Sequence, residues 1–241
     1  MKKKSGFTLA EVLITLAIIG VVAAITLPTL NSNTGAVRNR ALLKKGMTTL
    51  SNAAKMNQAN EGWNFSGIDS ETNCDTAGGM ALRANNSTTM CGLLNSTLSA
   101  ETFLGVLNTG DPTPTEYSII GGLNDSAGSA AWFINYQLSD GIIIGLNRHA
   151  QGCTEDMRTN DASAMGNSLT ACGGYIDVNG AQGPNNIISC ESGEETKYIW
   201  DNDYDTCEIN PNTNADIFPI VFYDGNVELS SNAGKAFFNA R

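Results

Sequence analysis

Residues 6 to 27 read GFTLAEVLITLAIIGVVAAITL, and this stretch decides how the chain is built. Between residues 7 and 27 there is no Lys or Arg and only one acid, Glu11. A helix of this length, rising about 1.5 Å per residue, extends about 30 Å, the thickness of the hydrocarbon core of a bilayer. We therefore predict a membrane span over residues 7 to 27.

The residues before this span indicate its orientation. Lys2, Lys3 and Lys4 lie immediately in front of the apolar run. Because positively charged flanks stay in the cytoplasm, we expect a cytoplasmic N-terminus, with everything after residue 30 outside.

The apolar run allows three interpretations, and Glu11 separates them. It fits a secretory signal cut after Val22-Ala23-Ala24, an uncut membrane anchor, or a leader cut before the run. A carboxylate inside an apolar helix costs on the order of 2 to 3 kcal/mol, which a disposable signal or a plain anchor has no reason to carry. Glu11 therefore favours a leader that is cut before the apolar run, and its carboxylate needs a partner.

The sequence GFTLAE at residues 6 to 11, followed by VLITLAIIG and closing at Pro28, resembles the leader and N-terminal helix of type IV pilins and type II secretion pseudopilins. The resemblance implies that a membrane prepilin peptidase cuts after Gly6 and methylates the new N-terminal Phe7. It also implies that Glu11 neutralises the amine of a neighbouring subunit. Phe7 and Glu11 are spaced i and i+4, so they lie on one helical face. A stagger between subunits would then bring amine and carboxylate together, and two buried charges are tolerable as a pair.

The helix is expected to continue beyond the span. Pro28 lacks a backbone donor, so we predict that it bends or locally opens the helix, as in similar filaments. Downstream, apolar residues recur at three- and four-residue intervals, which predicts an amphipathic helix to about residue 60, ending at Glu61-Gly62. Its apolar stripe is expected to pack against the head of the same chain, and its basic face to be solvated or to meet neighbouring acidic surface.

The rest of the chain predicts a β-rich head, so the fold class is α+β: a long N-terminal helix packed on an antiparallel sheet. Asp140-Gly141 and Asp224-Gly225 are tight-turn dipeptides between apolar runs and predict two hairpins. We divide the chain into a leader (1–6), a helix (7–61) and a head (62–241). The predicted strands are Tyr117 to Ile120, Trp132 to Leu138, Ile142 to Leu146, Tyr175 to Val178, Tyr198 to Trp200, Phe218 to Tyr223 and Val227 to Leu229.

Charge is distributed unevenly along the chain. Residues 1 to 62 contain eight basic and two acidic residues, whereas the remainder contains six basic and 22 acidic residues, a net charge of −16. Nucleic acid is therefore not expected as a partner, because phosphate backbones reward clustered Lys and Arg. Cations or other protein surfaces fit the head better.

Six cysteines follow residue 73, and none belongs to a C-x-x-C motif, which indicates an oxidising compartment. Short loops close most readily, so we predict a sequential pattern in which each loop contributes about 3 kcal/mol. Six cysteines allow 15 pairings, and the sequence leaves the other pairings open. The predicted pairs are Cys74–Cys91, Cys153–Cys172 and Cys190–Cys207.

Catalytic chemistry finds little support in this sequence. His149 is the single histidine, and the cysteines are expected to be oxidised. Acidic pairs such as Glu155-Asp156 suit solvated surface in a chain with 24 acids. No phosphate-binding Gly-rich loop with a Walker lysine occurs. We therefore predict that the protein is not an enzyme.

The head contains one further recognisable motif. The sequence YIDVNGAQGPN at residues 175 to 185, with Asp216 further on, resembles the D-V-N-G-x-x-G-P-N stretch and following G-x-D-x-F of many pilin-like heads. Asn214 replaces the usual glycine, and about thirty residues intervene where the family often has a few. Oxygen donors two residues apart suit Ca²⁺, with Asp177, Asn179, the Ala181 carbonyl and Asp216 as candidate ligands. The alternative is a hydrogen-bonded turn after the strand.

These observations predict a structural subunit of an extracytoplasmic type IV pilus or type II secretion pseudopilus. The resemblance implies three kinds of partner: other pilin-like subunits, a prepilin peptidase and inner-membrane assembly machinery. The chain would be single-pass in the inner membrane before assembly, and periplasmic or at the cell surface afterwards. The alternative is a minor, tip-located pilin whose head insertion, carrying Cys190 and Cys207, acts as adhesin or receptor.

Overall fold

The computed structural model of the chain describes residues 8–69, 83–84, 87–98, 102–108, 132–147, 150–154, 172–180, 185–192, 207–210 and 212–240. It confirms the predicted α+β class: a long N-terminal helix and an antiparallel sheet.

The first element is helix α1, Leu9–Glu61. It begins after Thr8, whose side chain accepts a hydrogen bond from the backbone N–H of Glu11. It ends at Gly62, which adopts φ 81° in the left-handed region and donates its N–H to the carbonyl of Gln58. Glycine reaches this conformation without steric cost, so the predicted stop at Glu61-Gly62 is confirmed. Within the described residues, no helix combines the length and apolar character needed to cross a membrane.

Helix α1 continues through position 28, so the chain is not opened there in this structure. The side chain of Pro28 lies outside the described part. A proline removes one backbone hydrogen bond, and the helical turns on either side of it can still form. Local opening at Pro28 in an assembled filament remains a prediction.

Six strands of the described chain form one antiparallel sheet, in which each strand pairs with its neighbours in sequence order. A separate short ribbon joins Arg83–Ala84 (β1) to Ser87–Thr88 (β2). The strands of the main sheet are β3 (Thr102–Asn108), β4 (Trp132–Gln137), β5 (Ile143–Asn147), β6 (Gly173–Asp177), β7 (Ile217–Tyr223) and β8 (Asn226–Leu229).

Both predicted hairpins are confirmed. Asp140-Gly141 connects β4 to β5, and Asp224-Gly225 connects β7 to β8. Strand β3 was missed, because Gly105 and a register shift between Phe103 and Gly105 interrupt its alternation. The predicted strands over residues 117–120 and 198–200 lie outside the described residues.

The core occupies both faces of the sheet. On one face α1 buries Ala36, Leu43, Leu50 and Ala54 in the same apolar cluster as the inward residues of β4 to β8. This confirms that the apolar stripe of α1 packs on its own head. The opposite face carries a smaller buried cluster: Phe133, Ile143, Tyr175, Ile217 and Val221. The sheet is therefore covered on both sides at its centre.

Two shorter α-helices lie in the described part of the head. Helix α2 (Met90–Thr97) is capped by Thr89, and helix α3 (Asn232–Asn239) by Ser231. Two polar contacts join α1 to the head. The Nε–H of Arg40 donates to the carbonyl of Phe237 in α3 at 2.7 Å, and Lys45 forms an ion pair with Asp140 in the β4–β5 turn at 2.6 Å.

Candidate functional sites

The first candidate site is the N-terminus of α1. Glu11 Oε2 accepts hydrogen bonds from the backbone N–H and from the hydroxyl of Thr8, each at 2.8 Å. Thr8 in turn accepts the N–H of Glu11, which completes a capping box. Glu11 was singled out from the sequence without this contact, although Thr followed three residues later by Glu is the recognised signal of a capping box. Gly6 and Phe7 lie outside the described residues.

The apolar side chains that follow Glu11 are exposed in the isolated subunit. Val12, Leu13, Ile14 and Leu16 are 45 to 61% accessible, and Leu9 is 80% accessible. The first buried residue of α1 in the described part is Ala36. The N-terminal part of the helix is thus an apolar rod outside the core of its own head, and such a surface requires an apolar environment or other apolar helices.

The second candidate site is the turn after β6. Asp177 is buried, and its Oδ1 accepts the backbone N–H of Asn179 at 3.2 Å and of Gly180 at 2.9 Å. Gly180 adopts φ 62°, and a Cβ there would lie 2.2 Å from the carbonyl oxygen of Gly141. The turn therefore requires glycine both for its backbone conformation and for its close approach to the β4–β5 hairpin.

Asp216 lies beside this turn, just before β7. Its side chain is fully buried and accepts three N–H groups: the Asn179 side-chain amide at 2.8 Å, the Asn185 backbone at 3.0 Å and the Asn186 backbone. The backbone carbonyl of Asp216 also accepts the N–H of Val178 at 2.8 Å. The structure thus brings together Asp177, Asn179 and Asp216, as the sequence suggested, and joins them by hydrogen bonds.

The calcium interpretation depends on oxygen atoms that are available to a cation. N–H groups already point at Oδ1 of Asp177 and at both oxygens of Asp216. The buried Oδ1 of Asn179 has no hydrogen-bond partner among the described residues, which do not include Ala181. Among the residues described, no three His, Cys, Asp or Glu side chains form a metal-binding group. The geometry is that of the hydrogen-bonded turn, and calcium binding stays the alternative interpretation.

Calcium titration of the mature chain in detergent tests this alternative. Because the carboxylates already accept N–H donors, we expect millimolar Ca²⁺ to leave the unfolding temperature unchanged. A rise in that temperature that disappears in Asp177→Ala would establish the calcium interpretation instead, and Mg²⁺ at the same concentration controls for ionic strength.

The pKa values of both carboxyl groups are raised above their ordinary range. Burial, and then the charge of Asp216, raise the pKa of Asp177 to about 7, although the N–H groups of Asn179 and Gly180 act in the opposite direction. Burial likewise raises the pKa of Asp216 above its ordinary value. The folded chain therefore binds more protons than the unfolded chain between about pH 4 and pH 7.

This difference predicts a pH-dependent stability. Since the folded pKa of Asp177 is raised, its contribution is present at low pH and is lost as the pH rises through about 7. Between pH 5 and pH 8 we expect a loss on the order of 2 kcal/mol. Asp177→Asn keeps an acceptor oxygen without the charge, so it should stabilise the chain at pH 8 and flatten the profile. Thermal unfolding from pH 5 to pH 8 measures this, and an equally steep profile in the variant would contradict the assignment.

The third feature is the disulfide set. The structure contains Cys153–Cys172 and Cys190–Cys207, two of the pairs in the sequential pattern. Cys91 is also disulfide-bonded. Cys74 lies outside the described residues, so the Cys74–Cys91 pair remains a prediction.

Comparison with known families bears on the first site. Residues 1–27 match the family described as the prokaryotic N-terminal methylation motif, which is the leader of type IV pilins and pseudopilins. The match supports a pilin-like or pseudopilin-like subunit. No curated protein and no solved structure matches the chain. The D-V-N-G stretch lies outside the matched residues, so its resemblance to pilin-like heads remains a prediction.

Proposed function

We propose that this chain, whose residues 1–27 carry the methylation motif of pilins and pseudopilins, is the precursor of an extracytoplasmic filament subunit. A prepilin peptidase cuts it between Gly6 and Phe7 and methylates the new amine. The motif is the observation that carries the proposal. The product is a structural subunit of a type IV pilus or a secretion pseudopilus, with no catalytic role.

Before assembly, the apolar segment over residues 7 to 27 spans the inner membrane with its N-terminus in the cytoplasm. Two observations support this placement: the exposed apolar side chains before residue 25 and the three lysines in front of them. Assembly machinery in the membrane then transfers the helix into the filament, where helices of other subunits replace lipid around it. The disulfide-braced heads remain outside the membrane.

Glu11 pairs across subunits in this proposal. Its Oε2 is held by Thr8 of the same chain, which orients the carboxylate at the start of α1. The amine of Phe7 in a neighbouring, staggered subunit is the partner charge. Each charge offsets the desolvation of the other in the apolar core of the filament.

We expect the mature chain to begin at Phe7 with a methylated amine. Intact-mass measurement of protein from a strain that contains the peptidase tests this directly. Gly6→Trp should leave the full-length mass, because the bulky side chain blocks the cut, whereas Ser5→Ala serves as a neighbouring control that is processed. Loss of residues 1 to 24, or no loss in the wild type, would exclude the proposal.

The position of the chain in purified filaments distinguishes a shaft subunit from a tip subunit. Immunogold labelling of the head along the whole shaft would support a major subunit. Label confined to one end would support the alternative, in which the head acts as an adhesin or receptor.

A further inference from the structure

The outer face of α1, defined by Val37, Arg38, Lys44, Lys45, Lys55 and Met56, is exposed to solvent, although its three lysines also lie beside residues of the head. All six side chains are exposed, and Val37 and Met56 keep 61% and 51% of their surface accessible. At 3.6 residues per turn, they fall in two adjacent rows, because Arg38, Lys45 and Met56 align, as do Val37, Lys44 and Lys55. The face extends about 25 Å from Arg38 to Lys55, at about 1.5 Å per residue.

All charged side chains of this outer face are basic. The chain has no Asp or Glu from residue 12 to residue 60. Two of the four basic groups are engaged in the subunit, since Lys45 pairs with Asp140 and Lys44 lies 4.8 Å from the ring centre of Phe238. Arg38 and Lys55 form no ion pair within the described part of the chain. The two groups stand at opposite ends of the face, each beside an exposed apolar side chain.

The charge of the face restricts what can cover it. Two outer faces repel each other, because neither contributes a carboxylate within residues 12 to 60. The remainder of the chain after residue 62 carries a net charge of −16. Four of its acids, Asp69, Glu191, Glu208 and Asp224, are exposed in the structure. The acidic head of a second copy is therefore the complementary surface that the chain itself supplies.

We propose that the outer face of α1 docks on the acidic head surface of a second copy of this chain. The inference rests on the proposed filament function and adds a contact outside the apolar helical segment. Arg38 and Lys55 supply charges that form no ion pair within the described part of the chain, and Val37 and Met56 supply apolar contact at the two ends. Charge complementarity of this kind fixes the register between subunits, and it disfavours a contact between two basic outer faces.

Charge reversal of Arg38 and Lys55 in the full-length chain tests the proposal. The double variant Arg38→Glu/Lys55→Glu should be processed normally and unfold at the wild-type temperature, because neither side chain has an ion pair among the described residues. We expect at least about a fivefold drop in its copies per filament, since like charges then face each other. Single variants provide a matched comparison: Lys55→Glu should reduce incorporation, and Lys235→Glu, at an exposed lysine on α3, should not.

Identification of the neighbour completes the test. A photo-reactive amino acid placed at position 56 in assembled filaments should cross-link to a peptide after residue 62 of a second copy. A cross-link to α1 of another copy, to lipid or to a different protein overturns the proposal. So does normal incorporation of the double variant into filaments that the wild type forms. Failure of the wild type itself to form filaments would instead contradict the proposed function.

Discussion

Glu11→Ala is expected to lower incorporation of the processed chain into filaments about a hundredfold or more, while membrane insertion is unchanged or slightly improved. The substitution leaves the amine of a neighbouring Phe7 unpaired in an apolar core, at a cost of roughly 3 to 5 kcal/mol. A factor of ten corresponds to about 1.4 kcal/mol. Quantitative immunoblotting of sheared filaments against membranes measures the ratio, and alkaline extraction of membranes checks insertion.

The contact between Glu11 and Thr8 supplies the controls. Glu11→Gln keeps an oxygen that accepts the N–H of Thr8 and removes only the charge. Thr8→Val removes the hydroxyl and keeps the carboxylate. If charge pairing is the role of Glu11, Glu11→Gln should lower incorporation into filaments as strongly as Glu11→Ala does. Thr8→Val should retain most of the wild-type incorporation. Wild-type incorporation of Glu11→Gln would show that helix capping, and not charge, is what assembly requires.

Gly145→Ala is expected to destabilise the head by about 3 kcal/mol or more, because the core has no space for the added methyl group. A Cβ at position 145 would lie 2.1 Å from the ring of Tyr175 and 2.7 Å from Oδ1 of Asn135. Tyr175 is fully buried, donates its hydroxyl to that oxygen and packs edge-on against Phe133 with ring centres 5.3 Å apart. The hydrogen bond to Asn135 and the contact with Phe133 thus hold the Tyr175 ring in place over Gly145.

Thermal unfolding of the mature chain in detergent measures this effect, and the midpoint should fall by about 6 to 12 °C. Gly20→Ala is the matched control, since a Cβ there meets nothing within 4 Å, and head unfolding should not change. Combining Gly145→Ala with Tyr175→Leu should destabilise less than the sum of the two single changes. Strict additivity, or a fall below about 2 °C for Gly145→Ala alone, would show that the ring is not what crowds position 145.

The sequence alone determined the features that depend on neighbours along the chain. The methylation motif, the end of α1 at Gly62 and the turns at Asp140-Gly141 and Asp224-Gly225 each rest on a few consecutive residues. Local chemistry specifies them, because capping, left-handed backbone and helical periodicity act over one or two turns. The strands β4 to β8 were recognised for the same reason.

Only the tertiary structure decided the contacts between distant residues. The motif resemblance already grouped Asp216 with Asp177, but only the structure shows that both carboxyl groups are buried and that Asn179 donates a hydrogen bond to each of them. Gly145 carries no sequence signal of its role, because the ring that crosses it comes from β6 and the oxygen that holds that ring comes from β4. Strand β3 needed its pairing with β4 to be recognised, since its own alternation is broken at Gly105. Such features arise when packing brings separate elements together, and no local pattern of residues encodes the space that is left between them.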